Sequence, residues 1–313
     1  MKPGQNRPAG PAARPPTAPF YLVGPTGAGK SSIALALAER CGAEIINADA
    51  YQLYEGLEII TAKPGAADLA RCPHHLYGVV PTHENIDAAK YEKLGRGSIS
   101  SVGGRGSLPL VVGGSGLYVK ALTHGMSPLP PSEPSLRAEL EARPDEELVA
   151  EFESLDPEGA ENTNLKNRRY VIRALEICLL GGRPMSEQKR AWKSARPSYR
   201  GILIQRERAE LYERINARTH TMVAAGLLDE IRSLGSLSET AEKAIGIGDV
   251  RCHLRGEIDL PTCIDRIQQA TRRYAKRQIN WFRREPGFTS VCINSSDDAD
   301  SAVEQILKLF PDL

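Results

Sequence analysis

The stretch "FYLVGPTGAGKSSIALALAERC", residues 20–41, indicates how this chain folds. Phe20–Val23 is a short apolar run of the kind found in buried strands, and we expect a helix from about Lys30 to Arg40. Between them, Gly24–Ser31 fits the pattern G-x-x-x-x-G-K-[S/T], in which backbone N–H groups and a helix N-terminus converge on phosphate oxygens. The predicted phosphate-binding residues are Gly24, Pro25, Thr26, Gly27, Ala28, Gly29, Lys30 and Ser31, with Lys30 reaching the outer phosphate and the Ser31 hydroxyl holding Mg²⁺.

Composition places the 313-residue chain among ordinary globular proteins, with 41% hydrophobic and 25% charged residues. No apolar run approaches the roughly 20 residues that span a bilayer, so we expect no membrane partner. Six scattered cysteines without a Cys-x-x-Cys pair favour reduced thiols and a cytoplasmic location. Residues 1–19 are rich in proline and poor in apolar residues, which predicts a disordered tail.

Later apolar runs extend the strand–helix–strand pattern. Strands are predicted in "AEIINADAY", ending near Asp49, and at Leu108–Val112, Ile202–Gln205 and Ser290–Asn294. This order predicts an α/β fold, a P-loop-type parallel sheet with helices on both faces. The glycine loop, Asp49 and Ser115 each follow a strand, so we expect them at the carboxyl edge of the sheet, where ligands bind in such folds.

Four prolines in "MSPLPPSEPS", residues 126–135, indicate a boundary. The charged segments beyond it predict a mostly helical insertion over residues 127–198. The α/β catalytic core would then comprise residues 20–126 and 199–313.

One element of a nucleotide hydrolase is missing from the sequence. The strand that should end in a metal-holding acid reads "LVVGGSG", with glycines in place of that acid. Asp49, one strand away, is the acid at a strand end in this part of the chain. We therefore expect the bound phosphate to be a leaving group rather than a substrate for hydrolysis.

The net charge of +1 conceals segregated charges. Residues 133–161 sum to −9 and residues 164–218 to +9, while residues 266–284 hold seven basic residues and no acid. Such runs are either solvated helix faces or surfaces that bind a polyanion, and the aromatic residues among them favour nucleic acid.

The motifs "GPTGAGKS", "INADAYQLYEGLEI", "TAKP", "PHHL", "VVGGSGLYVKAL", "SPLPPSEPSLR", "RRYVIRALE" and "KRQINWFR" together resemble the tRNA dimethylallyltransferases, also called tRNA isopentenyltransferases. The resemblance implies transfer of a dimethylallyl group from dimethylallyl diphosphate to the exocyclic N6 amine of adenosine 37, beside the tRNA anticodon. It also implies release of diphosphate, assistance by Mg²⁺, and a monomer acting on the anticodon stem-loop.

The same resemblance implies roles for individual residues. Asp49 would be the catalytic base, with Ser115 and Lys30 as further catalytic groups, and Arg214 and Arg218 would bind diphosphate. The helical insertion would contact tRNA. Predicted tRNA contacts are Asp49, Ala50, Tyr51, Gln52, Ser115, Arg137, Arg169, Tyr170, Val171, Ile172, Arg173, Lys243, Ala244, Ile245, Gly246, Ile247, Gly248, Lys276, Arg277, Gln278, Ile279, Asn280, Trp281, Phe282 and Arg283.

Alternatives remain open at this point. Asp49 could merely cap a turn, Arg214 and Arg218 could lie on a solvated helix face, and Lys63 is either a surface lysine or a diphosphate contact. The residues Ile247-Gly248-Asp249 depart from the aromatic and basic pattern usual in the family. For the whole chain, an adenylate prenyltransferase acting on free adenine nucleotides is the main alternative. A small-molecule P-loop kinase or a non-catalytic nucleotide-binding module is the other.

Overall fold

The computed structural model describes residues 18–126, 129–193, 199–294 and 296–313. All but the last two residues of the expected N-terminal tail lie outside the described residues. The described chain divides into two compact units. One contains residues 18–123 and 199–313, and the other contains residues 124–126 and 129–193.

A six-stranded sheet, parallel throughout, forms the centre of the first unit, with strand order β3-β2-β4-β1-β5-β6. The strands are β1 (Phe20–Val23), β2 (Ala43–Asn47), β3 (His74–His75), β4 (Leu108–Gly113), β5 (Arg200–Gln205) and β6 (Thr289–Cys292). The predicted parallel sheet is confirmed. Strand β3 was not predicted, because two residues at a sheet edge are too short to produce a hydrophobic pattern.

Helices connect these strands and build the second unit. They are α1 (Lys30–Cys41), α2 (Ala66–Leu69), α3 (Ala88–Gly104), α4 (Gly116–His124), α5 (Pro134–Glu141), α6 (Asp145–Leu155), α7 (Pro157–Glu161), α8 (Arg168–Gly181), α9 (Met185–Lys193), α10 (Arg208–Ala224), α11 (Leu227–Ser233), α12 (Ile247–Leu254), α13 (Leu260–Phe282) and α14 (Ala299–Leu309), with one 3₁₀ turn at Ala241–Lys243. Among the described residues, no helix has the length and apolar character needed to cross a membrane.

Alternate residues of β1, β2, β4 and β5 enter two separate cores, which shows that both faces of the sheet are covered. Tyr21 and Val23 of β1 pack in a core with residues of α3, α4, α12 and α13. Phe20 and Leu22 pack in another core with residues of α1 and α14. This alternation follows from the two-residue period of a strand.

Strand register aligns the carboxyl ends of the four central strands. Val23 pairs with Gly113 on one side and with Leu203 on the other, while Asn47 pairs with Val112. The segments that follow β1, β2, β4 and β5 therefore emerge at one edge of the sheet.

The second unit is made of α5–α9 around its own core, in which Phe152 and Leu175 are fully buried. Its fully buried carboxylate, Glu176, has three charged or polar partners. The Ser132 hydroxyl donates to it at 2.5 Å, and the guanidinium groups of Arg173 and Arg137 lie 3.3 and 3.6 Å away. Because a buried carboxylate needs such partners, these residues hold the bundle together.

Candidate active site

The glycine-rich loop joins β1 to α1 and is held in place by three arginines. Arg206 Nε donates to the Ala28 carbonyl at 2.9 Å, and Arg214 Nε donates to the Gly27 carbonyl at 2.9 Å. Arg218 Nη2 donates to the Thr26 hydroxyl at 2.7 Å. The three cations thus contact three successive loop residues. They bring positive charge to the place where the sequence predicts phosphate.

Two glycines at the end of β4 are required by close packing. A Cβ at Gly113 would lie 2.2 Å from the Ala48 carbonyl oxygen, and a Cβ at Gly114 would lie 2.3 Å from Gln278 Nε2. Neither position has room for the acid that a nucleotide hydrolase carries there. The absence of that acid is therefore built into the backbone packing.

Gln278, buried on α13, joins the two loops that leave β1 and β4. Its Oε1 accepts the Thr26 backbone N–H at 2.8 Å, and its Nε2 donates to the Gly114 carbonyl at 2.9 Å. This corrects the expectation that Gln278 contacts tRNA, because both ends of its side chain are used inside the protein.

Asp49 lies just beyond β2 and performs the turn-capping role that was left open. Its backbone N–H donates to Asn47 Oδ1 at 2.8 Å, and its Oδ1 accepts the Tyr51 N–H at 3.1 Å. Burial raises the pKa of Asp49, while the Tyr51 N–H and the charge of Lys30 act in the opposite direction. A carboxylate in these surroundings is a stronger base than an exposed one.

Ser115 lies next to Asp49, as the strand-end argument predicts. Its hydroxyl accepts the Ala50 N–H at 2.9 Å, and its own N–H donates to the Ala48 carbonyl at 3.2 Å. A side-chain hydrogen bond also links it to Tyr274 of α13. Burial raises the pKa of Tyr274, and the charge of Asp49 raises it further. Tyr274 therefore keeps its proton and can act as a hydrogen-bond donor.

Lys30 opens α1, and its Nζ donates to the Pro25 carbonyl at 2.9 Å. Burial lowers the pKa of Lys30 to about 8, the charge of Asp49 raises it, and that of Arg218 lowers it again. Burial also lowers the pKa of Arg218, which the charge of Asp49 raises. The site therefore contains crowded cations that an anion would stabilise.

A cavity of about 750 Å³ is lined by both the glycine-rich loop and Asp49. Its lining includes Lys30, Ser31, Arg214 and Arg218. A smaller cavity is lined by Asp49, Thr26 and Arg218 and by a group of apolar residues, here called the apolar wall. The apolar wall contains Ile60, Met222, Ala244, Ile245 and Ile267.

Lys63 is neither of the two things considered from the sequence. Its side chain is only 3% exposed, and its Nζ donates to Glu58 Oε1 at 2.7 Å and to the Tyr54 carbonyl. It does not line the cavity that contains the glycine-rich loop. The structure therefore does not favour the diphosphate-contact alternative, and the buried amine of Lys63 pairs with the exposed Glu58 within its own segment.

Several predicted tRNA contacts have buried side chains, and the structure corrects those expectations. Val171, Ile172, Ala244, Ile247 and Phe282 are each at most 4% exposed and belong to hydrophobic cores. Pattern matching located their segments but could not say which side chains face inward.

Gly246 and Trp281 also serve packing. Gly246 is buried, and a Cβ there would lie 2.8 Å from Ile60 Cδ1. The partly buried Trp281 ring lies against Gly116, where a Cβ would come within 2.2 Å of it, and Ile279 packs partly against the second core. Arg137 and Arg173 pair with Glu176, which occupies part of their charge.

The remaining predicted contacts are more accessible. Arg169 and Tyr170 of α8 are exposed, as are Lys243 and Gly248, and Ala50, Tyr51, Gln52 and Ile245 are partly exposed. On α13 and just after it, Lys276, Arg277, Asn280 and Arg283 are exposed. Among the described residues none of the three cations in that last group forms an ion pair. A helix with one buried face and one unpaired basic face is suited to a polyanion.

Sequence reasoning missed three residues of this site. Arg206 directly follows β5 and belongs to no recognisable motif. Gln278 was assigned to the surface, and Tyr274 was noted only as an aromatic residue in a basic run. The amphipathic period of α13 places Gln278 on its buried face, and that period could have identified it.

The fold and site define an α/β protein of P-loop type with a carboxylate beside its glycine-rich loop and no hydrolase acid on the neighbouring strand. Residues 52–285 match the family described as IPP transferase. The chain belongs to this family, that of the tRNA dimethylallyltransferases.

Individual relatives agree with this assignment. The chain is 43% identical to a tRNA dimethylallyltransferase of Akkermansia muciniphila over 289 residues, which cover 92% of this chain and 98% of the relative. A tRNA dimethylallyltransferase of Anaeromyxobacter dehalogenans is 44% identical over 277 residues, covering 85% and 90% of the two chains.

Solved structures extend the comparison. The tRNA isopentenylpyrophosphate transferase of Bacillus halodurans is similar with a TM-score of 0.68 at 32% identity, covering 94% of this chain and 95% of that one. A eukaryotic dimethylallyltransferase solved while acting on tRNA has a TM-score of 0.81 at 24% identity, covering 95% and 79%. The second likeness concerns the fold alone.

Proposed function

We propose that this protein transfers a dimethylallyl group from dimethylallyl diphosphate to the N6 amine of adenosine 37 in tRNA. One observation carries the proposal beyond family membership. A single cavity is lined by the glycine-rich loop, by Arg214 and Arg218, and by Asp49. A leaving diphosphate and an attacking amine can thus be held in the same space.

In the proposed step, the amine nitrogen attacks C1 of the dimethylallyl group. The new C–N bond forms as the C–O bond to the diphosphate breaks, and both electrons of that bond leave with the diphosphate. An allylic carbon carries positive charge in such a transition state. Stabilising the leaving anion therefore lowers the barrier, and loop N–H groups, Lys30 and the arginines are the groups placed to do so.

Asp49 would accept the proton that the amine loses. It lines the cavity, and burial makes its carboxylate more basic. Ser115 and Tyr274 supply hydroxyl groups beside it and can orient the amine.

Mg²⁺ fits the donor set at the loop. The Ser31 hydroxyl is exposed, lines the cavity and has no side-chain hydrogen bond within the described residues. No group of three or more His, Cys, Asp or Glu that could hold a metal was found among the described residues, so the phosphates would supply most oxygen ligands, as is usual for Mg²⁺. The ion would neutralise charge on the leaving diphosphate.

The exposed basic residues of α13, with Arg169 and Tyr170 of the helical unit, are the proposed contacts to the anticodon stem-loop. We further propose that the protein acts as a monomer in the cytoplasm.

Incubation of the purified protein with Mg²⁺, dimethylallyl diphosphate and an anticodon stem-loop RNA tests the function by mass spectrometry. We expect a dimethylallyl mass gain on the RNA, located at adenosine 37, and none when that adenosine is replaced by guanosine. A gain on free adenine nucleotides but not on RNA would support the adenylate prenyltransferase instead. Nucleotide hydrolysis or kinase activity without prenyl transfer would refute both.

A further inference from the structure

The transferred hydrocarbon must lie between the two ends of the site. Its C1 is attached to the diphosphate, which the proposed function places at Thr26 and Arg218, and must approach the amine beside Asp49. All three residues line the smaller cavity. The rest of the hydrocarbon would therefore pack against the apolar wall of that cavity.

Ile60 is a buried residue of this wall, and its side chain has little freedom to move. The residue is 7% exposed, and its Cδ1 lies so close to Gly246 that a Cβ there would be at 2.8 Å. Gly246 has φ +101°, and Ile267 is 2% exposed on the same wall. Ile60 and Ile267 belong to the same buried core, and close packing there restricts the movement of the Ile60 side chain.

The backbone behind Ile60 is fixed as well. The Glu230 carboxylate of α11 accepts the N–H groups of residues 58, 59 and 60, at 2.9, 2.6 and 2.9 Å. Hydrogen bonds to an ionised acceptor are among the stronger ones in proteins. Both the side chain and the main chain of Ile60 are therefore held in place.

We propose that Ile60 sets the length of the hydrocarbon chain that this protein transfers. The inference rests on the proposed function and adds an upper limit to the chain length of the donor. A five-carbon allylic diphosphate fits into the cavity without reaching the Ile60 side chain, whereas a ten-carbon one would collide with it. Ile60 is a specificity-determining residue, and Glu230 is a positioning residue that acts through it.

The test compares donors in single-turnover assays with anticodon stem-loop RNA. The kcat/KM for geranyl diphosphate is divided by that for dimethylallyl diphosphate in the wild type and in Ile60→Ala. A methylene group in an apolar pocket is worth roughly 10- to 200-fold in discrimination, so we expect the ratio to rise about 10- to 100-fold in Ile60→Ala. Ile60→Val, which removes less volume and threatens folding less, should raise it by a smaller factor.

Ile59→Ala is the matched control. It removes the same side chain one position earlier in the segment bound by Glu230, and Ile59 does not line the cavity. Its ratio should equal that of the wild type.

Three results would overturn the inference. The first is a wild type that uses both donors equally. The second is a donor ratio that does not change in folded Ile60→Ala and Ile60→Val. The third is an unchanged donor ratio with a higher KM for the RNA, which would mean that the apolar wall contacts the adenine. A wild type that transfers no dimethylallyl group would instead refute the proposed function.

Discussion

Thr26 and Gln278 lie 252 positions apart in the chain, yet the Thr26 N–H donates to Gln278 Oε1 at 2.8 Å. The same carboxamide holds the Gly114 carbonyl, so one buried side chain connects the phosphate loop, the β4–α4 loop and α13. The opposite face of α13 is basic and exposed, and this is the face proposed to contact RNA. The hydrogen bonds of Gln278 therefore link the RNA-contacting helix to the loop proposed to hold the donor.

Replacing Gln278 with Leu should affect stability and donor binding together. The Thr26 N–H and the Gly114 carbonyl would both lose a buried partner, at a cost of roughly 1–3 kcal/mol for each unsatisfied group. We expect a lower urea midpoint and a several-fold higher KM for dimethylallyl diphosphate. Gln269→Leu is the control, because Gln269 lies on the same helix and its side chain bonds to Asp265 and Arg273 of that helix. An unchanged midpoint and KM in Gln278→Leu would contradict the connecting role.

Asp49→Asn should separate chemistry from binding. The amide keeps an oxygen for the Tyr51 N–H but is a very weak base. We expect kcat to fall by about 10²-fold or more, the usual size of a general-base contribution, with RNA affinity nearly unchanged. Asp68→Asn changes another acid that lines the same cavity and serves as control. Wild-type turnover by Asp49→Asn would show that another group takes the proton.

The pH dependence of kcat/KM for the donor should be bell-shaped. On the acid side it should fall as Asp49 is protonated, and burial moves this limb above the ordinary range of Asp. On the alkaline side it should fall as Lys30, with a pKa of about 8, loses its charge. We expect a decrease of roughly 30-fold between pH 7 and pH 9.5. RNA binding without donor, measured over the same range, controls for unfolding, and a flat alkaline side would exclude this role for Lys30.

Salt dependence should reveal the basic face of α13. Each phosphate neutralised contributes a slope of about −0.7 to −0.9 to the log–log plot of affinity against salt concentration. Lys276→Ala should make the slope shallower by about that amount and weaken RNA binding. Lys308→Ala changes a lysine on α14, a helix that packs in the core on the other face of the sheet. It should leave the salt slope and the RNA affinity unchanged. Equal slopes for the wild type and Lys276→Ala would place RNA elsewhere.

Most structural features that depend on local sequence patterns could be predicted from the sequence. Apolar runs predicted five strands to within two residues at either end. The glycine pattern predicted the loop, and the rule that ligands lie beyond strand ends brought Asp49 and Ser115 together. What it missed depends on contacts between distant segments, such as those of Arg206 with Ala28 and of Gln278 with Gly114.

Ile247 shows most clearly what local sequence patterns cannot predict. It departs from the aromatic pattern usual in the family, at a segment expected to contact RNA. The structure places its side chain at 0% exposure in the core, at the first residue of α12. A Tyr at this position would overpack that core, and Gly248, which is exposed, is the better place to add a basic side chain.

The three arginines on successive loop residues also concern how long the molecule survives in a cell. Whenever no phosphate is bound, Arg206, Arg214 and Arg218 repel one another and Lys30 across a small volume. A ligand that binds only the folded chain stabilises it in proportion to its concentration. Protein molecules without bound isoprenoid diphosphate would therefore unfold and be degraded faster than molecules with the donor bound. Through this charge cluster, the supply of donor would govern the abundance of the protein as well as its rate.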